Sequence, residues 1–248
     1  MSIADISLIS FYLAFGGYLV SVFSCFLKKE RVAEVSFVVG FVSHTVSQIA
    51  RAWYLGFFFA NPMVNEISFL PWCLATLGLG LRLWEKEVWS RTLVPIFFFS
   101  LITLLSPKGI LPPFPKNQTF LSPLFFGSEV FAHACFILGS WFAIFYMRKK
   151  GEYRIFHDLV IWGFVFYSVS QITGALWAYL GWGSPFHWSD RHLGSAALWC
   201  YYAAYLHLSF VARWDLKRRV WVAIPGLFFI VGFSWDYQIM EMRQIIGG

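Results

Sequence analysis

The chain has 248 residues, of which 58% are hydrophobic, 21% are aromatic and only 13% are charged. A soluble domain carries about a quarter charged residues, so this composition argues against a soluble enzyme and indicates a membrane protein. The formal net charge of +6 would suit nucleic acid, but the positions of the basic residues decide that question.

Eight apolar stretches come close to the length of about 20 residues that a helix needs to cross a bilayer. They predict an all-α, polytopic membrane bundle of about eight transmembrane helices, formed by a single domain over residues 1–248. The stretches run roughly over 6–27, 35–58, 67–83, 92–106, 129–147, 155–180, 193–211 and 220–238. The fourth is short and contains Pro95.

The basic residues are concentrated in alternate connections between these stretches. Four connections hold 14 of the 19 Lys and Arg residues, namely KKER at 28–31, RLWEKEVWSR at 82–91, MRKKGEYR at 147–154 and RWDLKRR at 213–219. The positive-inside rule places these connections in the cytoplasm and both termini outside. The excess charge is therefore explained by membrane lipid, and no nucleic-acid partner is expected.

A polar stripe lies inside the second apolar stretch. His44, Gln48 and Arg51 are spaced i, i+4 and i+7, so they share one helical face. Ionisable groups inside a membrane are costly and usually functional. His207 lies near the cytoplasmic end of the seventh stretch. Since these two helices are predicted to run in opposite directions, both imidazoles are expected in the inner half of the membrane, about one or two helical turns apart in depth.

Two neutral imidazoles in a helical bundle suit haem b, bound non-covalently with His44 and His207 as the axial ligands of its iron. Arg51 is then the candidate partner of the haem propionates, with Gln48 on the same face. The alternative is that each histidine only hydrogen-bonds a neighbouring helix. Zinc would need three or four ligands, and the four cysteines form no CxxC or CxxCH motif.

A second group of histidines lies in or near a predicted outer connection, residues 181–192, which is rich in Gly and Trp. Tryptophan favours the membrane interface, and this preference accounts for several of the rings. For the histidines, three interpretations stay open: an external haem contact, a weak surface metal site, or solvated polar side chains. The candidate residues are Trp182, His187, Trp188, His192 and, at the start of the fifth stretch, His133.

The segment from Trp182 to His207 resembles the tryptophan-rich segment of the cytochrome c assembly transmembrane proteins, the CcsA/ResC-type haem handlers of system II. The matching positions are Trp182, Gly183, Trp188, Trp199, Tyr202, Ala203, Tyr205, Leu206 and His207. A second block resembles the family's GxxxHT…R…G…NxxE stretch through Gly40, His44, Thr45, Arg51, Gly56 and Glu66.

The resemblance implies a haem-binding membrane protein of cytochrome c biogenesis. By it, His44 and His207 hold haem within the membrane, and the tryptophan-rich loop presents haem at the outer face to apocytochrome c. It also implies an assembly partner with a large outer domain, similar to ResB, and a part in a holocytochrome c synthase complex. The expected location is a bacterial plasma membrane, with a thylakoid membrane as the alternative.

The chain departs from the family pattern in the outer region. Phe186 replaces the third loop tryptophan, and the loop acid is shifted by one position to Asp190. The family's two external haem-ligand histidines are missing from their expected places, since one place has Ser128-Glu129 and the other, FSWDYQIMEMRQ, has no histidine; His133 and His192 could substitute. Two other functions therefore stay open: a non-catalytic haem-dependent regulator or anchor resembling the HemX-type proteins, and a b-type cytochrome subunit that transfers electrons.

Overall fold

The computed structural model describes residues 2–54, 66–85, 88–106, 119–148, 153–230 and 232. The regular structure within these ranges is helical, which confirms the predicted all-α fold class. The chain divides into two compact units, Met1–Val130 and Phe131–Gly248, called here the first and the second unit.

Nine α-helices are formed by the described residues. In chain order they are α1 Ile3–Phe26, α2 Glu30–Tyr54, α3 Glu66–Trp84, α4 Leu93–Leu105, α5 Leu121–Arg148, α6 Tyr153–Trp182, α7 Asp190–His207, α8 Leu216–Ala223 and α9 Gly226–Ile230. Short 3-10 helices precede α4 at Trp89–Thr92 and follow α7 at Leu208–Phe210.

Four of the described helices are long and apolar enough to cross a membrane. They cover Ile3–Phe26, Glu30–Tyr54, Leu121–Met147 and Ile155–Trp182, and they correspond to the first, second, fifth and sixth predicted stretches. The third and seventh stretches form α3 and α7, of 19 and 18 residues. The fourth is the shorter apolar helix Trp89–Leu105. The chain is therefore a helical membrane protein, as its composition predicts.

The eighth predicted stretch differs from expectation. In place of one helix from residue 220, the structure has α8 and α9, separated at Ile224 and Pro225. Proline has no backbone N–H, so Pro225 cannot donate the next helical hydrogen bond and the first helix ends before it. Residues 231 and 233–248, which include the rest of this stretch, lie outside the described residues.

The first unit is built on a close approach of α1 and α2. A Cβ atom added at Gly17 would lie 2.7 Å from the Cα of Gly40 and 2.8 Å from the carbonyl oxygen of Ser36. Only a residue without a side chain fits this crossing, as is common where membrane helices meet. The crossing brings Tyr18 of α1 against His44 of α2.

The second unit has a buried aromatic centre where α5, α7 and α9 meet. The rings of Phe136 and Tyr202 stack with centroids 3.5 Å apart, and both side chains are fully buried. Gly226 lies beneath the Tyr202 hydroxyl, where a Cβ atom would clash. Ser140 of α5 donates a hydrogen bond of 2.8 Å to the carbonyl oxygen of Ala223, which fixes the end of α8 against α5.

Candidate functional site

The polar stripe of α2 is buried inside the first unit. His44 has no solvent exposure, and its ring lies edge-on to the rings of Phe11 and Tyr18 at centroid distances of 5.5 and 5.9 Å. The Tyr18 hydroxyl lies 3.2 Å from Nδ1, and the carbonyl oxygen of Ser68 lies 3.1 Å from Nε2. Helices α1, α2 and α3 therefore all contribute to the surroundings of this imidazole.

These contacts fix the tautomer of His44. A carbonyl oxygen only accepts hydrogen bonds, so Nε2 carries the proton that is donated to Ser68. In the neutral ring, Nδ1 then accepts from the Tyr18 hydroxyl. Burial favours this uncharged form because an imidazolium would lose its hydration. Both nitrogens of the ring are thus hydrogen-bonded within the first unit.

Gln48 and Arg51 extend the stripe along α2 and converge on the same residue of α3. Nε2 of Gln48 donates to the Ser68 carbonyl oxygen at 3.0 Å, beside the bond from His44. Nη1 of Arg51 donates to the Ser68 hydroxyl at 3.1 Å. The i, i+4, i+7 spacing read from the sequence is therefore a continuous row of donors facing one turn of α3.

The residues around His44 fit haem in their chemistry. They supply a neutral imidazole, two aromatic rings and a guanidinium, which suit the iron, the porphyrin and a propionate respectively. Nε of Arg51 is buried and has no hydrogen-bond partner among the described atoms, and a buried N–H of this kind favours an anionic partner. Iron ligation by His44 requires that either Ser68 or Tyr18 give up its hydrogen bond to the ring.

His207 has the opposite environment at the end of α7 in the second unit. Its side chain is exposed, and Nδ1 donates to the carbonyl oxygen of Ala203 at 2.7 Å. In the neutral ring the lone pair is then on Nε2. A backbone carbonyl that holds Nδ1–H in this way is the usual support of a metal-ligating histidine. Joint ligation by His44 and His207 stays a prediction.

The tryptophan-rich loop forms a surface group that we call the aromatic cluster, made of Trp182, Phe186, His187, Trp188 and His192. The irregular connection covers 183–189, because Trp182 belongs to the last turn of α6 and His192 to the first turn of α7. The His187 ring lies 5.7 Å from Trp182 and 6.0 Å from His192. Phe186 contacts Trp188 and His192 at 5.3 and 5.4 Å. The structure thus brings four predicted site residues and Phe186 together.

The aromatic cluster is open to its surroundings. Trp188 is 86% exposed and Trp182 is 55% exposed. Exposed aromatic rings that touch each other at their edges form an apolar surface suited to a flat ligand or to the membrane interface. No group of three or more His, Cys, Asp and Glu side chains within the described part of the chain could hold a metal ion, and zinc needs such a group.

The first turn of α7 sets the charge of this region. Ser189 caps the helix by accepting from the backbone N–H of His192, and its hydroxyl lies 2.8 Å from Nδ1 of that ring. Partial burial lowers the pKa of His192 below 6.5, with smaller contributions from Arg191 and His187. Asp190 is exposed at the first position of α7, where the helix dipole favours a carboxylate.

His133 lies on α5 and is buried, at 1% exposure, with its ring 5.8 Å from that of Tyr167. Sequence reasoning placed it at the outer face with the loop histidines, which stays a prediction; the structure shows that its side chain is buried within the second unit. Sequence reasoning also missed Phe11, Tyr18 and Ser68, the partners of His44. A hydroxyl group within an otherwise apolar stretch was the available signal for Tyr18 and Ser68.

Comparisons with known proteins agree with this architecture. The family model described as "Cytochrome C assembly protein" matches residues 130–232. Among solved structures, the chain named "Cytochrome c Heme Lyase CcmF" superposes with a TM-score of 0.70 at 15% identity, over 98% of this chain and 52% of that chain. This likeness shows the fold alone, and the present chain spans about half the length of that chain. The class is therefore a polytopic helical membrane protein with the fold of CcmF.

Curated relatives point to a particular family within this class. The "Cytochrome c biogenesis protein CcsA" of Synechococcus sp. (strain RCC307) is 41% identical over 68 residues, which are 27% of this chain and 22% of that protein. The protein of the same name from Prochlorococcus marinus (strain NATL2A) is 24% identical over 241 residues, 75% of each chain. The chain is therefore similar to the cytochrome c assembly proteins, in agreement with the resemblance found in its sequence.

Proposed function

We propose that this chain acts in cytochrome c maturation as an integral membrane protein that holds haem b non-covalently and presents it to apocytochrome c. The observation that carries the proposal is the buried row of His44, Gln48 and Arg51 on α2, which sits in a membrane helix of a cytochrome c assembly relative. Such a row is expensive to bury and needs a ligand or a structural purpose.

In the proposed site, His44 and His207 are the axial ligands of the haem iron. The Ala203 carbonyl oxygen accepts a hydrogen bond from Nδ1 of His207, so Nε2 is the nitrogen that would ligate the iron. Whichever of Tyr18 and Ser68 keeps its hydrogen bond holds the His44 ring in one orientation, and Arg51 neutralises a propionate. These side chains bind and orient the cofactor, and none of them needs to form a covalent bond to it.

The aromatic cluster is the proposed outer contact. Haem supplies the vinyl groups to which the cysteine thiols of an apocytochrome attach. Trp182 and Trp188 offer an apolar face to the porphyrin, and His192, with its lowered pKa, is neutral at pH 7 and can accept a hydrogen bond. Positioning of the reacting groups is the main contribution expected from the protein in such a reaction.

The proposed partners are apocytochrome c and an assembly protein with a large outer domain, similar to ResB. The proposed location is a bacterial plasma membrane. Relatives from Synechococcus, Prochlorococcus and Chlamydomonas support the thylakoid membrane as the alternative.

A second candidate is a non-catalytic haem-dependent regulator or anchor. The departures in the outer region favour it, because Ser128-Glu129 stands where the family pattern has an external histidine and the loop acid is shifted to Asp190. Such a protein would bind haem through the α2 row and yield no mature cytochrome.

Two measurements test the proposal. The first is haem per protein after purification, for the wild type, for His44→Ala and His207→Ala, and for His157→Ala, a histidine that contacts Tyr205 in the second unit. We expect the haem per protein to fall at least tenfold in His44→Ala and in His207→Ala, and to stay at the wild-type value in His157→Ala. The second is co-expression with a c-type cytochrome and a ResB-like partner in a host that lacks its own maturation system. Covalent haem on the cytochrome supports presentation, whereas bound haem without product supports the regulator.

A further inference from the structure

A groove of about 730 Å³ runs between α1 and α2 on a face of the first unit that is separate from the His44 row. Gly16, Val20, Val35 and Val39 belong to its walls, and Arg31 lies at one end. Val35 is 64% exposed and Val39 is 53% exposed, so these valines face outward and not into the protein.

The walls of the groove are apolar even where the sequence has hydroxyl groups. The Ser36 hydroxyl donates to the Val32 carbonyl of its own helix at 2.6 Å. Its donor is therefore satisfied within α2 and needs no polar ligand. At Gly16, an added Cβ atom would meet no atom within 4 Å, so this residue leaves open space in the wall. The groove thus suits a hydrocarbon chain.

The length of the groove matches one leaflet of a bilayer. From Arg31 to Ser43, both of which line it, α2 rises about 18 Å at 1.5 Å per residue. Half of a hydrocarbon core of about 30 Å is about 15 Å. A transmembrane helix of a partner would need a groove across both leaflets, whereas one acyl chain needs only this depth.

The end of the groove at Arg31 has a net positive charge. Lys28, Lys29 and Arg31 are all exposed, and we call them the basic corner; the exposed Glu30 lies among them and partly offsets their charge. The backbone holds this corner tightly, because the N–H of Lys28 bonds the carbonyl of Cys25 and the N–H of Lys29 bonds that of Ser24. These two bonds form a Schellman motif, with Lys28 in the left-handed region at φ 56°. Three cations and one carboxylate leave an excess of positive charge at one end of an apolar groove, which is complementary to an anionic amphiphile.

We infer that this groove binds one acyl chain of an anionic phospholipid, whose headgroup lies at the basic corner. The inference uses only the first unit and is independent of haem binding. By the predicted topology, the lipid belongs to the cytoplasmic leaflet, where anionic headgroups and polybasic segments attract each other.

The test is native mass spectrometry of the full chain, titrated with phosphatidylglycerol or with phosphatidylcholine of the same chains. We expect the wild type to prefer phosphatidylglycerol. Gly16→Leu fills the groove and should weaken both lipids about tenfold. Gly127→Leu is the matched control, since a Cβ atom added there also meets nothing within 4 Å. Val35→Phe obstructs the same groove from an exposed position and serves if Gly16→Leu lowers the melting temperature.

The headgroup is tested separately with Lys28→Gly combined with Arg31→Gln. Glycine keeps the left-handed turn while it removes the charge, so the fold is preserved. We expect at least a fivefold loss of phosphatidylglycerol affinity, about the effect of one basic residue near an anionic surface, and unchanged phosphatidylcholine. Wild-type lipid binding by both Gly16→Leu and Val35→Phe overturns the inference. If these variants instead lose a co-purifying membrane protein while lipid binding is unchanged, the groove holds a partner helix and the inference is also wrong.

Discussion

The His44 row, made of His44, Gln48 and Arg51, and the aromatic cluster differ in how they accommodate polar side chains in an apolar chain. Around His44, three helices contribute groups until both ring nitrogens are hydrogen-bonded. In the aromatic cluster, the rings contact one another edge-on and stay exposed. Burial favours a hydrogen-bond partner for each polar atom, so we expect the first region to contribute to stability as well as to the proposed haem binding. The second carries little structural cost and is free to contact another molecule.

The two proposed haem ligands also differ in how many of their ring nitrogens are hydrogen-bonded. His44 presents no spare nitrogen until a neighbour gives one up, whereas His207 has Nδ1 fixed by Ala203 and the lone pair on Nε2. We therefore expect haem binding to reorganise the surroundings of His44 more than those of His207.

The largest expected effect comes from breaking the helix crossing that supports the buried region. Gly17→Leu places a side chain against the Gly40 backbone and should cost about 3 kcal/mol of stability, with a loss of folded protein. Gly16→Leu is the neighbouring control and should be tolerated, because its Cβ meets open space. Thermal unfolding followed by intrinsic fluorescence distinguishes them. Equal melting temperatures for the two variants would contradict the close approach of α1 and α2 at Gly17.

Next in size is the direct contrast between the two regions. His44→Ala leaves the Tyr18 hydroxyl buried without its partner and opens a cavity, so we expect a loss of about 2 kcal/mol. Trp188→Ala, at an exposed ring, should change stability by less than about 0.5 kcal/mol. Denaturant titration of the haem-free protein measures both. A comparable loss in both variants would show that the aromatic cluster is also structural.

A smaller effect is expected at the hydrogen bond that fixes the His44 tautomer. Tyr18→Phe removes only the hydroxyl, which should cost about 1 kcal/mol in the haem-free protein. Phe37, which contacts Tyr18 in the same core, offers Phe37→Leu as a control for ring packing without a polar change. If Tyr18→Phe is as stable as the wild type, Nδ1 of His44 is not held by Tyr18.

The smallest effect concerns the electrostatics of the aromatic cluster. The pKa of His192 lies below 6.5, mainly through partial burial and in part through Arg191. Because the pKa is lowered in the fold, the contribution of this group to stability is present above pH 6.5 and is lost as the pH falls through the lowered value. Arg191→Gln should raise the pKa, which NMR of labelled histidine can follow, with Arg213→Gln as a control. No change in the titration would leave burial and His187 as the causes of the lowered pKa.

The sequence predicted some parts of the molecule and not others, for physical reasons. Long apolar stretches predicted α1, α2, α5 and α6, because the length and composition of a stretch are enough to identify a helix that can cross a membrane. The i, i+4, i+7 spacing predicted that His44, Gln48 and Arg51 share a face. Ser68 and Tyr18 were not predicted as partners because contacts between helices leave no periodic signal in one helix.

The ends of elements were harder to predict. The apolar run from residue 220 continues through Pro225, and hydropathy does not register the missing backbone N–H that separates α8 from α9. Trp182 and His192 were assigned to a loop on their Gly-rich surroundings, yet Ser189 caps α7 early and makes His192 helical. The matched block also includes Gly56, which lies outside the described residues.

The most direct test of the central claim is the absorption and EPR spectrum of the haem-loaded protein with imidazole rescue. The wild type should give a low-spin, bis-histidine spectrum. Each of His44→Ala and His207→Ala should lose it, and added imidazole should restore it in His44→Ala by filling the buried space left by the ring. An unchanged low-spin spectrum in both variants would contradict the assignment of these two histidines as the haem ligands.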